Sequence, residues 1–334
     1  MGDIMHKIYR KITREIKKSK RVILMGHKNI DLDAYGSLLG LYEICTHLRK
    51  KTFLFMNKDV NDSVTKALKL ENKESIHIYE LDDFNSKDLL IIADTNKETL
   101  VESSSLLKKI PRKIVIDHHI KDEPIKNTIV SYVLETSSSA SEMVLNYALY
   151  LRKKLSSITA TIMLAGLEID TNSYEIRTTP KTYETAANLL KMGADISLKK
   201  DLLKQSKEEY IRRQKLLKHT YMLDNKTAIC VFDQKIYKKE DLAIIANELL
   251  QFDNVKAGYA IGKIDAKLIG ISAKSLGNVN VEKVINKLGG GGHINNAATQ
   301  IESNNLKEVE KKLTQIIKEW LYESNTNYRC KKTR

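Results

Sequence analysis

Short apolar runs alternate with helical segments along most of the chain, starting at residue 21. In the first part, strands are predicted over 22–25, 52–56, 76–78, 89–93 and 112–116, and helices over 35–49, 62–70, 97–109, 156–168 and 181–192. This alternation is typical of an α/β fold with a mostly parallel sheet. The pattern restarts after about 219, with strands at 227–232, 256–262 and 267–272 and helices at 241–250, 281–288 and 305–321. The restart predicts a second, smaller α/β domain.

The chain is therefore expected to have five consecutive parts. Residues 1–20 alternate apolar and basic positions and predict an amphipathic helix. Its basic face could bind a lipid surface, but packing on its own domain is commoner and is expected here. The parts that follow are a first α/β domain at 21–195, a Lys-rich linker helix at 196–218, a second domain at 219–325 and a basic tail at 326–334.

The composition describes a globular protein without an integral membrane segment. Hydrophobic residues make up 42% and charged residues 29% of the 334 positions. No apolar run approaches the roughly 20 residues of a membrane-spanning helix, and no signal peptide opens the chain, so a cytoplasmic location is expected. Cys45, Cys230 and Cys330 are too few and too far apart for a disulfide framework or a thiolate zinc site.

The net charge of +14 favours a polyanionic substrate. The basic residues are mostly lysines scattered along the chain, so a general compositional bias is an alternative explanation. For the same reason no stable complex with a long nucleic acid is expected.

Acidic and histidine residues follow three of the predicted strands and end one predicted helix. The stretch "GHKNIDLDAYGS" follows strand 22–25, "ADT" ends strand 89–93, "IDHH" follows strand 112–116, and "GLEIDT" closes helix 156–168; these stretches contain His27, Asp31, Asp33, Asp94, Asp117, His118, His119 and Asp170. In open parallel sheets, ligands bind beyond the carboxyl ends of the strands. A single acid after a strand is most often a helix cap, which would suit Asp94 alone but not the whole set.

So much negative charge in a partly buried site needs cations. Carboxylates with imidazoles and no thiolate favour manganese or magnesium, manganese more because of the histidines, and zinc also fits. Six of these residues are candidate ligands: His27, Asp31, Asp33, Asp94, His118 and Asp170. Six ligands suit two ions roughly 3.5–4 Å apart that share a carboxylate and activate a hydroxide. Such a pair points to hydrolysis of a phosphate ester.

A glycine run in "KLGGGGHINNAAT", residues 287–299, is the second chemical feature. Gly290, Gly291, Gly292 and His293 leave backbone N–H groups free to bind an anion, with a helix N-terminus expected nearby. Flexible loops also contain glycine runs. Here an apolar helix and Ala297–Ala298 flank the run, so an ordered phosphate-contacting loop is predicted.

Together, "GHKNIDLDAYGS", "ADT", "IDHH", "GLEIDT" and the distal "GGGGH" resemble the DHH phosphoesterase superfamily with its DHH-associated C-terminal domain. The stretches "ETSSSASEMV", "LAGLEIDTNSYEIRT" and "ISAKSLGNVNVEKVINKLGGGGHINNAATQ" are similar to the catalytic portion of the GdpP-type cyclic-di-AMP phosphodiesterases. The resemblance implies manganese-dependent cleavage of cyclic di-AMP to linear pApA, with the active site in the cleft between the two domains. No counterpart of the transmembrane, PAS and GGDEF parts of that family is expected here, and a homodimer is implied because the family often dimerises.

The resemblance also implies roles for the site residues. Its motifs place His27, Asp31 and Asp94 on one metal ion and Asp33, Asp94, His118 and Asp170 on the other. His119 would stabilise charge on the phosphate or protonate the leaving 3′-oxygen, and Asp117 would orient an imidazole or serve as a buried structural acid. Substrate contacts are implied for Ser138, Ser139, Gly290, Gly291, Gly292 and His293, with helix capping as the alternative for the serines.

Some positions depart from the GdpP pattern. Asn96 and Lys97 stand where histidine and arginine are usual, Lys274 stands for arginine, and Asn295 stands for threonine. These changes affect the expected substrate preference and not the metal ligands. A nanoRNase-type hydrolase of short oligoribonucleotides or pAp is therefore the alternative enzyme. A non-catalytic nucleotide or RNA sensor is the alternative from another class, although such a module does not need six competent metal ligands.

Overall fold

The computed structural model describes residues 2–58, 60–71, 76–78, 84–120, 125–277 and 279–331, and it omits the side chains of 2–3, 233–234, 293 and 322–331. The chain divides into two compact units, Met1–Lys204 and Gln205–Arg334. No helix in the described part of the chain has the length and apolar character needed to span a membrane. Cys45 and Cys230 are free and buried, and the side chain of Cys330 lies outside the described residues.

The strands of the first unit are β1 (Arg21–Met25), β2 (Lys51–Phe55), β3 (His77–Ile78), β4 (Leu89–Ala93), β5 (Lys113–Asp117) and β6 (Thr128–Val133). Its helices are α1 (Gly2–Lys18), α2 (Leu32–His47), α3 (Asp62–Glu71), α4 (Ser104–Lys109), α5 (Ala140–Tyr150), α6 (Ser157–Asp170), α7 (Pro180–Lys191) and α8 (Ile196–Leu203). The strands form one parallel sheet in the order β3-β2-β1-β4-β5-β6. The parallel α/β prediction is confirmed.

The strand order reverses between β1 and β4. The chain runs outward from β1 to β3 at one edge, then returns to β4 on the other side of β1. Such a reversal opens a crevice beyond the carboxyl ends of the two adjacent strands, where open α/β sheets bind ligands. The loops that follow β1, β4 and β5 are the ones that carry the predicted acids and histidines.

Helices cover both faces of this sheet. β4 and β5 are fully buried; β4 is apolar at every position, as expected for a parallel strand covered on both faces, and β5 has the apolar run Ile114–Ile116 between Lys113 and Asp117. Leu24 and Ile91 face the core formed with α2, α5 and α6, whereas Ile23 and Ile92 face a smaller core that includes Leu106. The strands are thus fixed from both sides, and their carboxyl ends are rigid supports for the loops.

The amphipathic N-terminal helix α1 packs on the first unit. Ile12 and Ile16 are completely buried, and the Tyr9 hydroxyl lies 3.1 Å from that of Tyr132 in β6. The basic residues of the helix, including Arg10 and Lys11, are exposed. Burial of the apolar face stabilises the helix on this unit, which agrees with the expectation that it packs on its own domain.

Three elements of the structure differ from the prediction. The helix expected over 97–109 covers only Ser104–Lys109, because residues 99–102 run beside the loop after β1 and Lys28 N–H donates to Leu100 O at 2.7 Å. The strand β6 was not predicted. The linker helix expected over 196–218 is two helices, α8 and α9 (Lys207–Leu217), because Lys204 is extended and Ser206 caps the second helix.

The second unit contains a mixed six-stranded sheet. Its strands are β7 (Thr220–Asp224), β8 (Thr227–Ile236), β9 (Ala257–Asp265), β10 (Leu268–Ser275), β11 (Gly291–His293) and β12 (Asn296–Glu302), and its further helices are α10 (Lys239–Glu248), α11 (Val281–Asn286) and α12 (Leu306–Lys331). The strand order is β11-β12-β10-β9-β8-β7, with only β8 and β9 parallel among the described pairs. The second α/β domain is confirmed, although β7, β11 and β12 were not predicted.

Candidate metal centre

Asp94 lies at the centre of the site, one residue beyond β4. Its backbone has a φ of 62°, which is uncommon for a residue other than glycine, and its N–H donates to Ile116 O in the neighbouring β5. This conformation directs the buried carboxylate between two imidazoles. Asp94 Oδ2 lies 3.5 Å from His27 Nε2, and Oδ1 lies 3.1 Å from His118 Nε2.

His27, Asp31 and Asp94 form one group of donor atoms that lie within 4.8 Å of one another. His27 Nδ1 is 2.7 Å from Lys28 O, so Nε2 is the nitrogen that faces the carboxylates. Asp31 caps α2, since its Oδ1 accepts hydrogen bonds from the N–H groups of Asp33 and Ala34. Its Oδ2 lies 3.7 Å from His27 Nε2. One carboxylate thus begins the helix and faces the cluster.

Asp33, Asp94, His118 and Asp170 form a second group within the same limit of 4.8 Å. His118 Nε2 lies 3.0 Å from Asp170 Oδ2 and 4.0 Å from Asp33 Oδ2. The first turn of α5 holds the Asp33 carboxylate, because the N–H of Ala140 donates to Oδ2 at 2.7 Å and that of Ser141 to Oδ1 at 3.0 Å. A carboxylate oxygen has two lone pairs, so these bonds leave Asp33 able to bind a cation.

The close approach of α6 to α2 places Asp170 beside Asp33. A Cβ atom at Gly166 would lie only 2.5 Å from Asp33 Cα, so glycine is required where the two helices meet. Asp170 comes four residues later, about one helical turn, at the end of α6. The glycine in "AGLEID" therefore brings the acid from this helix to the site.

The pKa values in the cluster shift in opposite directions, upward for Asp33 and His27 and downward for Asp94. Burial, reinforced by the charges of Asp170 and Asp94, raises the pKa of Asp33 well above its usual value. Burial alone would lower the pKa of His27, but the nearby carboxylates of Asp31 and Asp94 outweigh it and raise that pKa to about 11. For Asp94, the nearby imidazoles of His118 and His27 outweigh burial and hold the pKa far below its usual range. The carboxylates of the cluster thus require positive charge close to them.

The donor set fits divalent cations better than it fits protons. Asp94 Oδ1 and both ring nitrogens of His118 are buried and make no hydrogen bond in the part of the chain that the structure describes. Unsatisfied buried polar atoms are costly, and metal ligation is one way to satisfy them. Carboxylate oxygens and imidazole nitrogens without thiolates suit Mn²⁺, Mg²⁺ or Zn²⁺. The two groups share Asp94, so its carboxylate would contact both ions if each group held one.

His119 lies at the rim of the cluster, with a side chain that is 43% exposed. Its Nδ1 is 2.8 Å from Asp117 Oδ1, and its backbone N–H donates to the same oxygen. Asp117 is completely buried, and its other oxygen accepts a hydrogen bond from Asn96 Nδ2. Asn96, Asp117 and His119 thus form a chain of contacts that fixes the ring and leaves Nε2 as the nitrogen not engaged by Asp117.

Ser138 and Ser139 stabilise the start of α5 through contacts with Glu142. Both are completely buried. Ser138 Oγ donates to Glu142 Oε2 at 2.6 Å, and Ser139 Oγ caps α5 by accepting from Glu142 N–H. Because α5 holds the Asp33 carboxylate, these hydroxyls act on the position of that carboxylate. Capping, the alternative explanation for the serines, thus accounts for the observed contacts of Ser139.

The glycine run of the second unit is partly a strand. Gly291 and Gly292 belong to β11 and pair with Ala298 and Ala297 of β12, and the side chain of His293 lies outside the described residues. A Cβ atom would lie 2.4 Å from Ala298 O at Gly290 and 2.3 Å from Asn296 O at Gly292. The expectation of a loop is therefore wrong for this half of the run, and close packing on β12 explains two of its glycines.

Gly291 differs from its neighbours and offers a test. At this position the nearest atom to a Cβ would be 3.9 Å away. Gly291→Ala is expected to change the free energy of unfolding by less than about 0.5 kcal/mol, whereas Gly290→Ala should cost about 1–3 kcal/mol through overpacking. Thermal unfolding of both variants checks this, and equal melting temperatures would contradict it. A loss of substrate affinity in the stable Gly291 variant would then support the predicted phosphate contact.

Sequence reasoning did not single out Arg177 as a site residue. Its Nη2 lies 3.7 Å from Asp170 Oδ2 at the edge of the cluster. The available signal was a basic residue close behind "GLEID" in a stretch rich in polar residues. Its position depends on the path of the intervening loop, which spacing alone does not give.

Family models match both units. The model of the DHH family N-terminal domain matches residues 21–167, and that of the DHHA1 domain matches 224–319. The cyclic-di-AMP phosphodiesterase GdpP of Geobacillus thermodenitrificans is 34% identical over 91% of this chain and 48% of its own length. The chain thus spans about half the length of this curated relative. The bifunctional oligoribonuclease and PAP phosphatase NrnA of Mycoplasma genitalium is 26% identical over 92% of this chain and 96% of its own length.

A solved structure has the same fold. An exopolyphosphatase-related protein from Bacteroides fragilis superposes with a TM-score of 0.81, at 20% identity, over 94% of this chain and 96% of that one. At this identity the match concerns the fold alone. Both domain matches and their order along the chain agree with the motifs that carry the cluster. The chain belongs to the DHH family, with a DHHA1 domain after its DHH domain.

Proposed function

We propose that the protein is a metal-dependent phosphodiesterase that hydrolyses cyclic di-AMP to linear pApA. The observation that carries this proposal is the meeting of two ligand groups at Asp94, beyond the carboxyl ends of β1, β4 and β5. The 34% identity to a GdpP cyclic-di-AMP phosphodiesterase supports the choice of substrate.

Two Mn²⁺ ions are the proposed cofactors. His27, Asp31 and Asp94 would hold one, and Asp33, Asp94, His118 and Asp170 would hold the other. When bound, such a pair lowers the pKa of water and neutralises charge on a phosphoryl group. The two histidines favour manganese over magnesium.

The protein's own groups position the phosphate and move the proton. His119 is held through Nδ1 by Asp117, so its Nε2 is proposed to donate a proton to the leaving 3′-oxygen. Asn96 fixes Asp117 in turn. Backbone N–H groups of 290–292 and the side chain of His293 are proposed to bind the substrate. Ser138 and Ser139 are proposed to act through α5, which holds the Asp33 carboxylate.

The second candidate is hydrolysis of short oligoribonucleotides or pAp. The match to the NrnA of Mycoplasma genitalium favours this candidate, because the chain covers 96% of the length of that protein. The chemistry at the metal centre would be the same, and only the part of the pocket that binds the remainder of the substrate would differ.

Substrate profiling separates the candidates. The purified protein with Mn²⁺ is expected to turn over cyclic di-AMP with a kcat/KM at least about tenfold above that for pApA, pAp or a short RNA, a difference of about 1.4 kcal/mol in transition-state binding. Chromatography of the products checks this. Faster cleavage of the linear substrates would favour the NrnA-type activity, and tight binding without turnover would favour a sensor.

A further inference from the structure

The segment that follows α6 has an unusual backbone. Asn172, Ser173, Tyr174 and Arg177 all have positive φ angles, between 47° and 68°, although none is glycine. Non-glycine residues in this region are strained, and such strain persists only where the surroundings fix the conformation. Four strained residues in one short segment indicate that this conformation serves a function.

Thr171 fixes this segment from within. It is completely buried, its hydroxyl donates to Leu167 O at 2.7 Å, and Thr171 Oγ1 accepts from Tyr174 N–H at 3.1 Å. Its carbonyl accepts from the N–H groups of Glu175 and Ile176, both at 2.9 Å. The turn is therefore built on a residue adjacent to Asp170, which couples its shape to the metal centre.

The turn brings a guanidinium to the edge of the acidic cluster. Arg177 Nη2 lies 3.7 Å from Asp170 Oδ2 and 3.5 Å from Asp170 O, and the side chain remains 41% exposed. Both distances are long for hydrogen bonds, so most N–H donors of the guanidinium are available to a ligand. The planar fork of arginine matches the oxygens of a phosphate.

A pocket of about 630 Å³ lies beside Arg177. Its wall includes Ser137, Thr178 and two tyrosines, Tyr174 and Tyr183, whose rings stack with centroids 5.4 Å apart and an interplanar angle of 15°. Tyr183 is 58% exposed, so the pair presents aromatic surface to a ligand. The volume is in the range of small-molecule sites. An arginine and an aromatic surface in one pocket match the two parts of a nucleotide.

We propose that this pocket is a nucleotide subsite, in which Arg177 binds a phosphate of the substrate and the Tyr174–Tyr183 pair stacks on the adjacent base. The proposal rests on the proposed function, since it places one nucleoside beside the phosphate that is cleaved. Stacking accepts any base, so the pair contributes affinity, and the choice among bases belongs to other contacts.

The alternative is that Arg177 only neutralises Asp170 and that the tyrosines only stabilise α7. A role in binding predicts a larger loss of affinity for a substrate that carries a base than for one that does not. A structural role predicts equal losses of affinity for both substrates. The two are separated by comparing a dinucleotide with its abasic analogue, a diester in which a tetrahydrofuran residue replaces one nucleoside and which therefore carries no base at that position.

The test uses Tyr183→Ala, Tyr183→Phe and Arg177→Gln in the Mn²⁺-loaded full chain. Tyr183→Ala is expected to raise the KM for cyclic di-AMP or pApA roughly tenfold, with a loss at least about fivefold smaller for the abasic analogue. Tyr183→Phe should retain the affinity because the ring remains. Arg177→Gln should weaken both substrates. Tyr210→Ala, at an exposed tyrosine of α9, is the control and should leave activity unchanged.

Equal losses for both diesters in the Tyr183→Ala variant would overturn the base-stacking role. Calorimetric titration with adenosine 5′-monophosphate gives a readout that does not need turnover. Binding that weakens in both Tyr183→Ala and Arg177→Gln supports the subsite, and binding unchanged in both overturns it. A wild-type protein that binds this nucleotide but hydrolyses no diester would refute the proposed function while retaining the subsite.

Discussion

Replacing Asp94 with asparagine is expected to lower phosphodiester hydrolysis by at least about a thousandfold, since a bound metal ion supplies several kcal/mol of transition-state stabilisation. Asp94 belongs to every described group of acids and histidines whose donor atoms come within 4.8 Å of one another. Loss of its charge therefore affects both proposed ions at once. Metal analysis of the purified variant should find fewer manganese ions per chain than the two expected in the wild type.

Asparagine is the better substitution because of the backbone at this position. The φ of 62° at Asp94 is tolerated by asparagine, whereas alanine would add strain unrelated to the lost charge. Asparagine also keeps the shape of the side chain and one oxygen. A loss of metal and activity in Asp94→Asn can then be assigned to the carboxylate.

Asp88→Asn is a matched control. Asp88 is also completely buried, but it pairs with Arg21, whose Nη2 donates to Oδ2 at 2.8 Å, away from the cluster. Its loss should reduce the free energy of unfolding by about 1–3 kcal/mol while full metal content and activity remain. Full metal content and activity in Asp94→Asn would instead disprove the bridging role.

The location of the cluster could be predicted from the sequence because a simple geometric rule applies. Parallel strands end at a common edge, so acids that follow β1 and β5, and an acid at the end of β4, must lie near one another. His27, Asp94 and His118 meet in this way. Asp170 comes from a helix, and its arrival depends on the contact of Gly166 with Asp33, which periodicity does not reveal.

Features that depend on contacts distant in sequence could not be predicted. Residues 99–102 were assigned to a helix, but they run beside the loop that carries His27. The sequence predicts an ordered loop for the glycine run, and it does not reveal the pairing of that run with β12, because this pairing is a tertiary contact. Arg177 reaches the cluster only because the turn after α6 is held in a strained conformation around Thr171.

The second large effect is expected at His119. His119→Gln should lower kcat roughly 10²–10⁴-fold, the usual contribution of a general acid or base. Both manganese ions should remain bound, because His119 is not among the proposed ligands; in the third group of neighbouring donors, with Asp94, Asp117 and His118, its Nδ1 is held by Asp117 Oδ1 at 2.8 Å. A variant that loses metal together with activity would show that His119 is a ligand and not a proton donor.

Asp117→Asn provides the graded comparison, because Asp117 is proposed to act on the reaction through His119. Its Oδ1 holds His119 Nδ1 at 2.8 Å, and an amide in its place holds the ring less firmly. Partners of this kind typically contribute about 10–100-fold, so Asp117→Asn should lie between the wild type and His119→Gln. In the double variant, Asp117→Asn should add little to His119→Gln, since residues that act as a unit are not additive. Multiplicative losses in the double variant would mean that Asp117 acts by another route, through the metal centre or the stability of β5.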